Sequence, residues 1–250
     1  MSWCRPTRRT VITTAPAAAL FPWNPGRAGD VTALAANLPA EVAGIALPAT
    51  SPARKAAAFS RTASPEFLFN HCMRSYLFGA VYAARHGIQY DSEAAFIAAA
   101  LHDLGLLPQF ASPALAFEVD GANTAETFLR REGSPDTEQT EVWNAIALHA
   151  TRAQFTSHQR GEVRLLGAGV GADFGGPDPA DIAPHQEQEI LAAFPRRGFK
   201  RGFLGLLTDH CRRKPTSQRA TWLGDYCRAQ VRGTSYGDMI HDLMAAPFPE

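Results

Sequence analysis

This sequence of 250 residues has no excess of positive or negative charge, no closely spaced cysteines and no long apolar runs. Lys and Arg together number 24 and are balanced by 24 Asp and Glu, so no overall field attracts nucleic-acid phosphates or anionic lipid. No run approaches the ~20 apolar residues that a membrane-spanning helix needs. We therefore expect a protein of the cytoplasm that binds neither nucleic acid nor a membrane.

The four cysteines, at positions 4, 72, 211 and 227, lie far apart and form no Cys-x-x-Cys pair. This spacing excludes the paired ligands of a zinc finger and the dense disulfide framework of a small secreted domain. We expect these cysteines to be reduced, and either buried or incidental.

The pattern of apolar residues divides the chain into two parts. Residues 1–50 are rich in Pro, Ala and Gly without a sustained period, and are predicted to form an N-terminal arm. Residues 51–250 are predicted to form one all-α domain, since no segment alternates as a strand does between turn signals. Helices are predicted over about 64–85, 91–105, 120–133, 136–149, 162–174, 185–194, 199–212 and 217–230.

His102 and Asp103 stand together in the last turn of a predicted helix that is otherwise apolar. Burying both side chains without partners would cost several kcal/mol, and a divalent cation would remove that cost because imidazole and carboxylate are ordinary metal ligands. For this dipeptide alone, a capping histidine beside an aspartate paired with arginine is the alternative. His71 and Asp173 favour the metal, because each lies on the apolar face of another predicted helix.

The sequence resembles the ligand pattern of the HD-domain superfamily of metal-dependent hydrolases. The resemblance lies in the order of four residues along the chain, which are His71, His102 with Asp103, and Asp173. The matching segments run from about residue 64 to residue 173. The resemblance implies a single helical bundle in which these four residues hold a divalent metal between core helices.

Within that superfamily the chain is most similar to the cyanamide hydratase-like branch. The similar segments are residues 69–76 (FNHCMRSY), 117–122 (FEVDGA), 146–151 (IALHAT), 194–196 (FPR), 198–200 (GFK) and 214–215 (KP). Members of this branch hydrate the nitrile of cyanamide to urea with one zinc ion. The resemblance implies an enzyme that adds water to a small nitrile-type substrate, with Zn²⁺ favoured over Fe²⁺, Mn²⁺ or Ni²⁺.

The resemblance also implies roles for individual residues. Asp103 and His149 would be catalytic, with Asp103 moving a proton from the activated water and His149 donating to or orienting the substrate nitrogen. The predicted substrate-binding residues are Glu118, Asn144 and Thr151. A buried histidine that merely caps a helix is the alternative for His149.

Two other functions remain open from the sequence. Two-metal members of the superfamily carry extra histidines between the His-Asp pair and the last aspartate, and here only His149 stands in such a place, so one metal is predicted. A second metal bound by Glu118 or His149 is the alternative left open. A phosphohydrolase would need several cations around the metal, and Arg74 and Arg152 are the candidates. Arg74 is expected instead to pair with a carboxylate such as Asp103.

The other alternative is a non-catalytic module in which the metal only holds helices together. The sequence also leaves open whether the chain forms a homo-oligomer.

Overall fold

The computed structural model describes residues 38–151, 153–218 and 221–232. Most of the predicted N-terminal arm therefore lies outside the described residues. Its last part contains a short antiparallel hairpin of β1 (Glu41–Val42) and β2 (Ile45–Ala46), in which Val42 pairs with Ile45. The turn residues Ala43 and Gly44 both have positive φ, as tight hairpins require. This hairpin was not predicted, because strands of two residues are too short to show alternation.

The rest of the described chain is helical, which confirms the predicted all-α class. Ten α-helices are described: α1 (Ser51–Ala63), α2 (Glu66–Arg85), α3 (Ser92–Leu101), α4 (Phe117–Glu132), α5 (Asp136–Leu148), α6 (Ala153–Thr156), α7 (Gly161–Gly175), α8 (Pro184–Ala193), α9 (Phe199–Arg213) and α10 (Trp222–Gln230). Two 3₁₀ turns, Leu104–Leu106 and Pro108–Phe110, connect α3 to α4.

The predicted helix boundaries differ from the observed ones at the start of the bundle. Helix α1 was not predicted, although Thr50 caps it by accepting a hydrogen bond from the Ala53 amide. Ser64, expected to cap α2, instead ends α1, and Pro65 is the residue that precedes α2. Helix α3 ends at Leu101, so that His102 and Asp103 lie in the turn that follows it.

Helix α2 is the centre of the bundle and packs most extensively against α7. Glycines allow this close approach. A Cβ added at Gly169 would lie 1.8 Å from the Ser75 carbonyl oxygen, and one added at Gly79 would lie 2.3 Å from the Leu165 carbonyl oxygen. Helices α3 and α5 also contact α7, and the ends of α3 and α5 are brought close to the N-terminal half of α2.

Cys211 and Cys227 form a disulfide that joins α9 to α10, with their Cα atoms 5.3 Å apart. The expectation that the cysteines are reduced is therefore wrong for this pair. The two helices fold back on each other across a short connection, which brings together positions whose spacing carries no pairing signal. Cys72 is free and buried, and Cys4 lies outside the described residues.

None of the described helices is both long and apolar enough to cross a membrane.

Candidate metal centre

Three histidines surround the carboxylate of Asp103 in the interior of the bundle. His71 comes from the second turn of α2, His102 follows α3 and His149 follows α5, and these side chains and that of Asp103 are buried. The distances from the Asp103 carboxylate oxygens to the Nε2 atoms are 3.4 Å for His71, 3.3 Å for His102 and 3.8 Å for His149. The structure thus brings together His71, His102 and Asp103, whose ligand atoms all lie within 4.8 Å of one another.

The hydrogen bonds of the three rings assign their tautomers. The Nδ1 atoms of His102 and His149 lie 2.8 Å and 2.6 Å from the carbonyl oxygens of Ala99 and Ile146, so each Nδ1 must carry the proton. The Nδ1 of His71 lies 2.6 Å from Asp173 Oδ2 and also donates. With Nδ1 protonated, each ring in its neutral form points the Nε2 lone pair at one place, as metal-binding histidines do.

Buried polar atoms without partners show that these residues fit a cation. Among the described residues, neither His102 Nε2 nor either carboxylate oxygen of Asp103 has a hydrogen-bond partner, although all three atoms are buried. Native interiors rarely leave such atoms unsatisfied, because each costs free energy to desolvate. A divalent cation bound between the imidazole and carboxylate groups would satisfy all of them.

The local electrostatics keep Asp103 ionised and His149 neutral at neutral pH. Burial alone would raise the pKa of Asp103, but the imidazoles of His102, His71 and His149 outweigh it and bring the pKa to about 2. Burial lowers the pKa of His149 to about 3, and the neighbouring His102 contributes to the decrease. At neutral pH, Asp103 therefore offers a negatively charged carboxylate and His149 a neutral imidazole.

Asp173 lies behind His71 and not among the atoms that face Asp103. Its Oδ1 accepts hydrogen bonds from Arg74 Nε at 2.7 Å and Arg196 Nη1 at 2.9 Å. Its Oδ2 accepts from Arg74 Nη2 at 2.8 Å as well as from His71. In this arrangement Asp173 orients the His71 ring, and its role as a direct metal ligand stays a prediction. The expectation that Arg74 pairs with a carboxylate is confirmed, but the partner is Asp173 and not Asp103.

The three predicted substrate-binding residues lie in different surroundings. Thr151 lines the cavity described below. Glu118 is buried on α4 and is not among the cavity-lining residues; burial raises its pKa to about 7, and its Oε2 has no partner among the described residues. Asn144 is half-buried on α5 and does not line the cavity. Arg152 lies outside the described residues.

A cavity of about 520 Å³ opens outward from His71, Asp103 and His149. Its walls are mostly apolar and come from α7, the segment after it, α9 and α10. The aromatic residues Phe174, Phe203 and Trp222 on these walls were not singled out from the sequence. They lie in three different helices at no regular spacing, so no sequence motif could have identified them.

Residues 68–174 match the family model of the HD domain. This HD segment begins in α2 and ends in α7, so it contains all the residues predicted to hold the metal. The match supports the predicted resemblance to the HD-domain superfamily and, in general terms, the activity of a metal-dependent hydrolase. No curated protein matches the chain. The finer resemblance to the cyanamide hydratase-like branch stays a prediction.

Proposed function

We infer that this protein is a metal-dependent hydratase or hydrolase that adds water to an electrophilic carbon of a small uncharged molecule, of nitrile type. Cyanamide, which would give urea, is the simplest such substrate. One observation carries this proposal: the unpartnered His102 Nε2 and Asp103 oxygens belong to a buried cluster that opens into an apolar cavity.

His71, His102 and Asp103 would hold the metal, and Asp173 would either join them or act through His71. A bound divalent ion lowers the pKa of water and polarises the substrate. The proposed ion is a single Zn²⁺, and Fe²⁺, Mn²⁺ and Ni²⁺ suit the same ligands.

His149 is placed to move the proton that hydration requires. Its Nδ1 proton is bound by the Ile146 carbonyl, so the neutral ring can accept a proton only at Nε2. In the first step of nitrile hydration, the water oxygen bonds to carbon while the water loses one proton and the nitrogen gains one, which gives an imidic acid that tautomerises to the amide. We propose that His149 Nε2 accepts the first and delivers the second, with Asp103 as the neighbouring charge that stabilises the protonated ring.

The charges around the cavity favour an uncharged substrate over a phosphate ester. Its described lining includes Asp178 and Asp181 but no Lys or Arg. Arg74 is fully buried and bound to Asp173 and to the Phe194 carbonyl, so it is not free to bind phosphate oxygens. Phosphate recognition normally needs several such donors. The HD match itself is consistent with either reaction.

The deciding experiment measures metal content of the purified protein by elemental analysis, together with urea release from cyanamide and phosphate release from nucleotides. We expect about one metal per chain and urea release. His102→Ala should lose both, whereas His185→Ala, at an exposed position on α8, should keep both. Phosphate release without urea would support the phosphohydrolase, and stoichiometric metal with neither activity would support a module that uses the metal only to hold its helices. Retention of metal by His102→Ala would overturn the site.

A further inference from the structure

The cavity is much larger than the smallest substrate of the proposed reaction. A water molecule takes up ~30 Å³ of liquid, so a molecule of three heavy atoms such as cyanamide would leave most of the 520 Å³ to solvent. Cavities of ~300–1,000 Å³ are typical of sites that enclose much larger organic ligands. The cavity therefore has room for a substrate body beyond the reacting group.

Three aromatic side chains form one side of this space, and we call them the aromatic wall: Phe174 on α7, Phe203 on α9 and Trp222 on α10. The ring centroid of Phe174 lies 6.0 Å from that of Phe203 and 6.3 Å from that of Trp222, with edge-to-face geometry. Phe174 is 53% exposed and Trp222 is 38% exposed, so large apolar faces are left to water inside a concave site. Covering them with another ring would be favourable.

The remaining described lining is unfavourable for an anionic ligand. Among the described residues, the charged side chains of the cavity other than those at the metal cluster are Asp178 and Asp181. Asp181 is already paired with His86 at 2.7 Å, outside the lining. Apart from a metal at the cluster, an anionic ligand would meet carboxylates and apolar carbon here, with no Lys or Arg among the described lining residues to bind it.

We propose that the aromatic wall is a specificity subsite that binds the aromatic body of an uncharged substrate while its reacting group lies at His71, Asp103 and His149. This inference rests on the proposed function and names its substrate class, an aryl nitrile or a similarly neutral aryl compound. Phe174, Phe203 and Trp222 are then the residues that determine specificity.

Gly171 offers a way to fill the cavity without disturbing its walls. It lines the cavity on α7, and a Cβ added there would meet no atom within 4 Å. Gly205 on α9 is a matched control, because a Cβ there also meets nothing within 4 Å and the residue does not line the cavity. Gly171→Leu and Gly205→Leu thus make the same change in two helices, inside and outside the subsite.

The test measures dissociation constants by titration calorimetry on the metal-loaded protein for three probes: 2-naphthonitrile, cyanamide and the anion 2-naphthoate. We expect 2-naphthonitrile to bind at least tenfold more tightly than either of the others. Gly171→Leu should weaken its binding at least tenfold and change cyanamide binding less than threefold, while Gly205→Leu should leave both unchanged within twofold. Circular dichroism and metal content would verify that both variants fold and load.

The inference is overturned if 2-naphthonitrile binds no more tightly than cyanamide, if 2-naphthoate binds more tightly, or if the two leucine variants behave alike. Because binding is measured without turnover, the two proposals can fail separately. Tight binding of 2-naphthonitrile with no product from it or from cyanamide would sustain the subsite and overturn the reaction. Urea release with no binding of 2-naphthonitrile would overturn the subsite alone.

Discussion

The guanidinium of Arg74 is completely buried and holds the Asp173 carboxylate with two hydrogen bonds. Removing one partner of a buried ion pair leaves the other charge uncompensated, which typically costs ~3–5 kcal/mol. Arg196 and His71 still contact Asp173 and offset part of this cost. We expect Arg74→Met to lower the free energy of unfolding by about 3 kcal/mol, measured by urea denaturation.

The control for this prediction is an exposed ion pair on α4. Arg130 pairs with Glu126 at 3.0 Å, and both side chains are largely in solvent. Surface pairs of this kind contribute ~0–1 kcal/mol, so Arg130→Met should change stability little. Equal losses in the two variants would show that burial of the Arg74 pair does not matter.

Glu118 makes the folded protein less stable as pH rises. Burial, with a further contribution from Asp103, raises its pKa from 4.5 to about 7 in the folded protein. The folded state therefore binds this proton more tightly than the unfolded state, and the free energy of unfolding falls as pH rises from 4.5 to 7. The full loss, reached above pH 7, is about 3 kcal/mol.

Glu118→Gln should remove this decline, because the amide has the same shape and no charge to desolvate. In metal-free protein we expect the variant to be more stable than the wild type at pH 8 and similar to it at pH 5, measured by urea denaturation. Glu126→Gln, at a more exposed position of the same helix, should follow the wild type at both pH values. Parallel pH profiles for wild type and Glu118→Gln would contradict the assignment.

Among the structural elements, the contact between α2 and α7 depends on one small residue in particular. A side chain at Gly169 would overlap the Ser75 carbonyl, which is backbone and cannot rotate away. Gly169→Ala should therefore lower stability by at least ~1–3 kcal/mol, the usual cost of overpacking. Gly171→Ala on the same helix meets no atom and should be neutral or stabilising by up to ~1 kcal/mol, since alanine favours helix. Thermal unfolding should show a lower melting temperature for Gly169→Ala and an unchanged or higher one for Gly171→Ala, and equal decreases in both would contradict the packing argument.

The disulfide between α9 and α10 closes a loop of 16 residues. Loops of about this length are stabilised by ~3 kcal/mol when cross-linked. Chemical denaturation with and without dithiothreitol should show a loss of this size in the wild type. The double variant Cys211→Ala with Cys227→Ala should show no effect of the reductant, and an equal effect in both proteins would mean that some other group responds.

At the scale of the whole molecule, a metal bound by His71, His102 and Asp103 would link α2 to the end of α3. A ligand that binds only the folded state adds ~2.7 kcal/mol to its stability when present at 100 times its Kd. We expect Zn²⁺ to raise the melting temperature of the chelator-treated protein and to leave that of His102→Ala unchanged. A rise of equal size in the variant would place the bound zinc elsewhere.

Much of this architecture could be predicted from local pattern. Apolar periodicity and end signals such as Gly133, whose φ is +79°, located most of the helices within a few residues. Helix α1 was missed because its alanines resemble the composition of the preceding arm, although Thr50 and Pro52 are ordinary signals of a helix start. The cysteine pairing was missed for a different reason, since it depends on how α9 and α10 pack.

Of the candidate site, the sequence could predict the residues of the metal cluster but not their surroundings. His71, His102 and Asp103 could be chosen because His71 lies on the apolar face of a predicted helix, His102 and Asp103 close an apolar segment, and their order resembles the HD-domain pattern. The structure brings the three together. The surroundings of Asp173 could not be predicted, because Arg196 reaches its carboxylate from a segment 23 residues further along the chain. Long-range contacts of that kind leave no periodic trace in a sequence.

The residues of the metal cluster and those of the aromatic wall come from two separate parts of the chain. Those of the metal cluster lie within the HD segment, whereas Phe203 and Trp222 lie on α9 and α10, beyond its end at residue 174. Changes in α9 and α10 could thus alter what the cavity admits while leaving the chemistry of water activation intact. Such a division allows the substrate range to change through substitutions in α9 and α10 while the residues of the metal cluster stay the same.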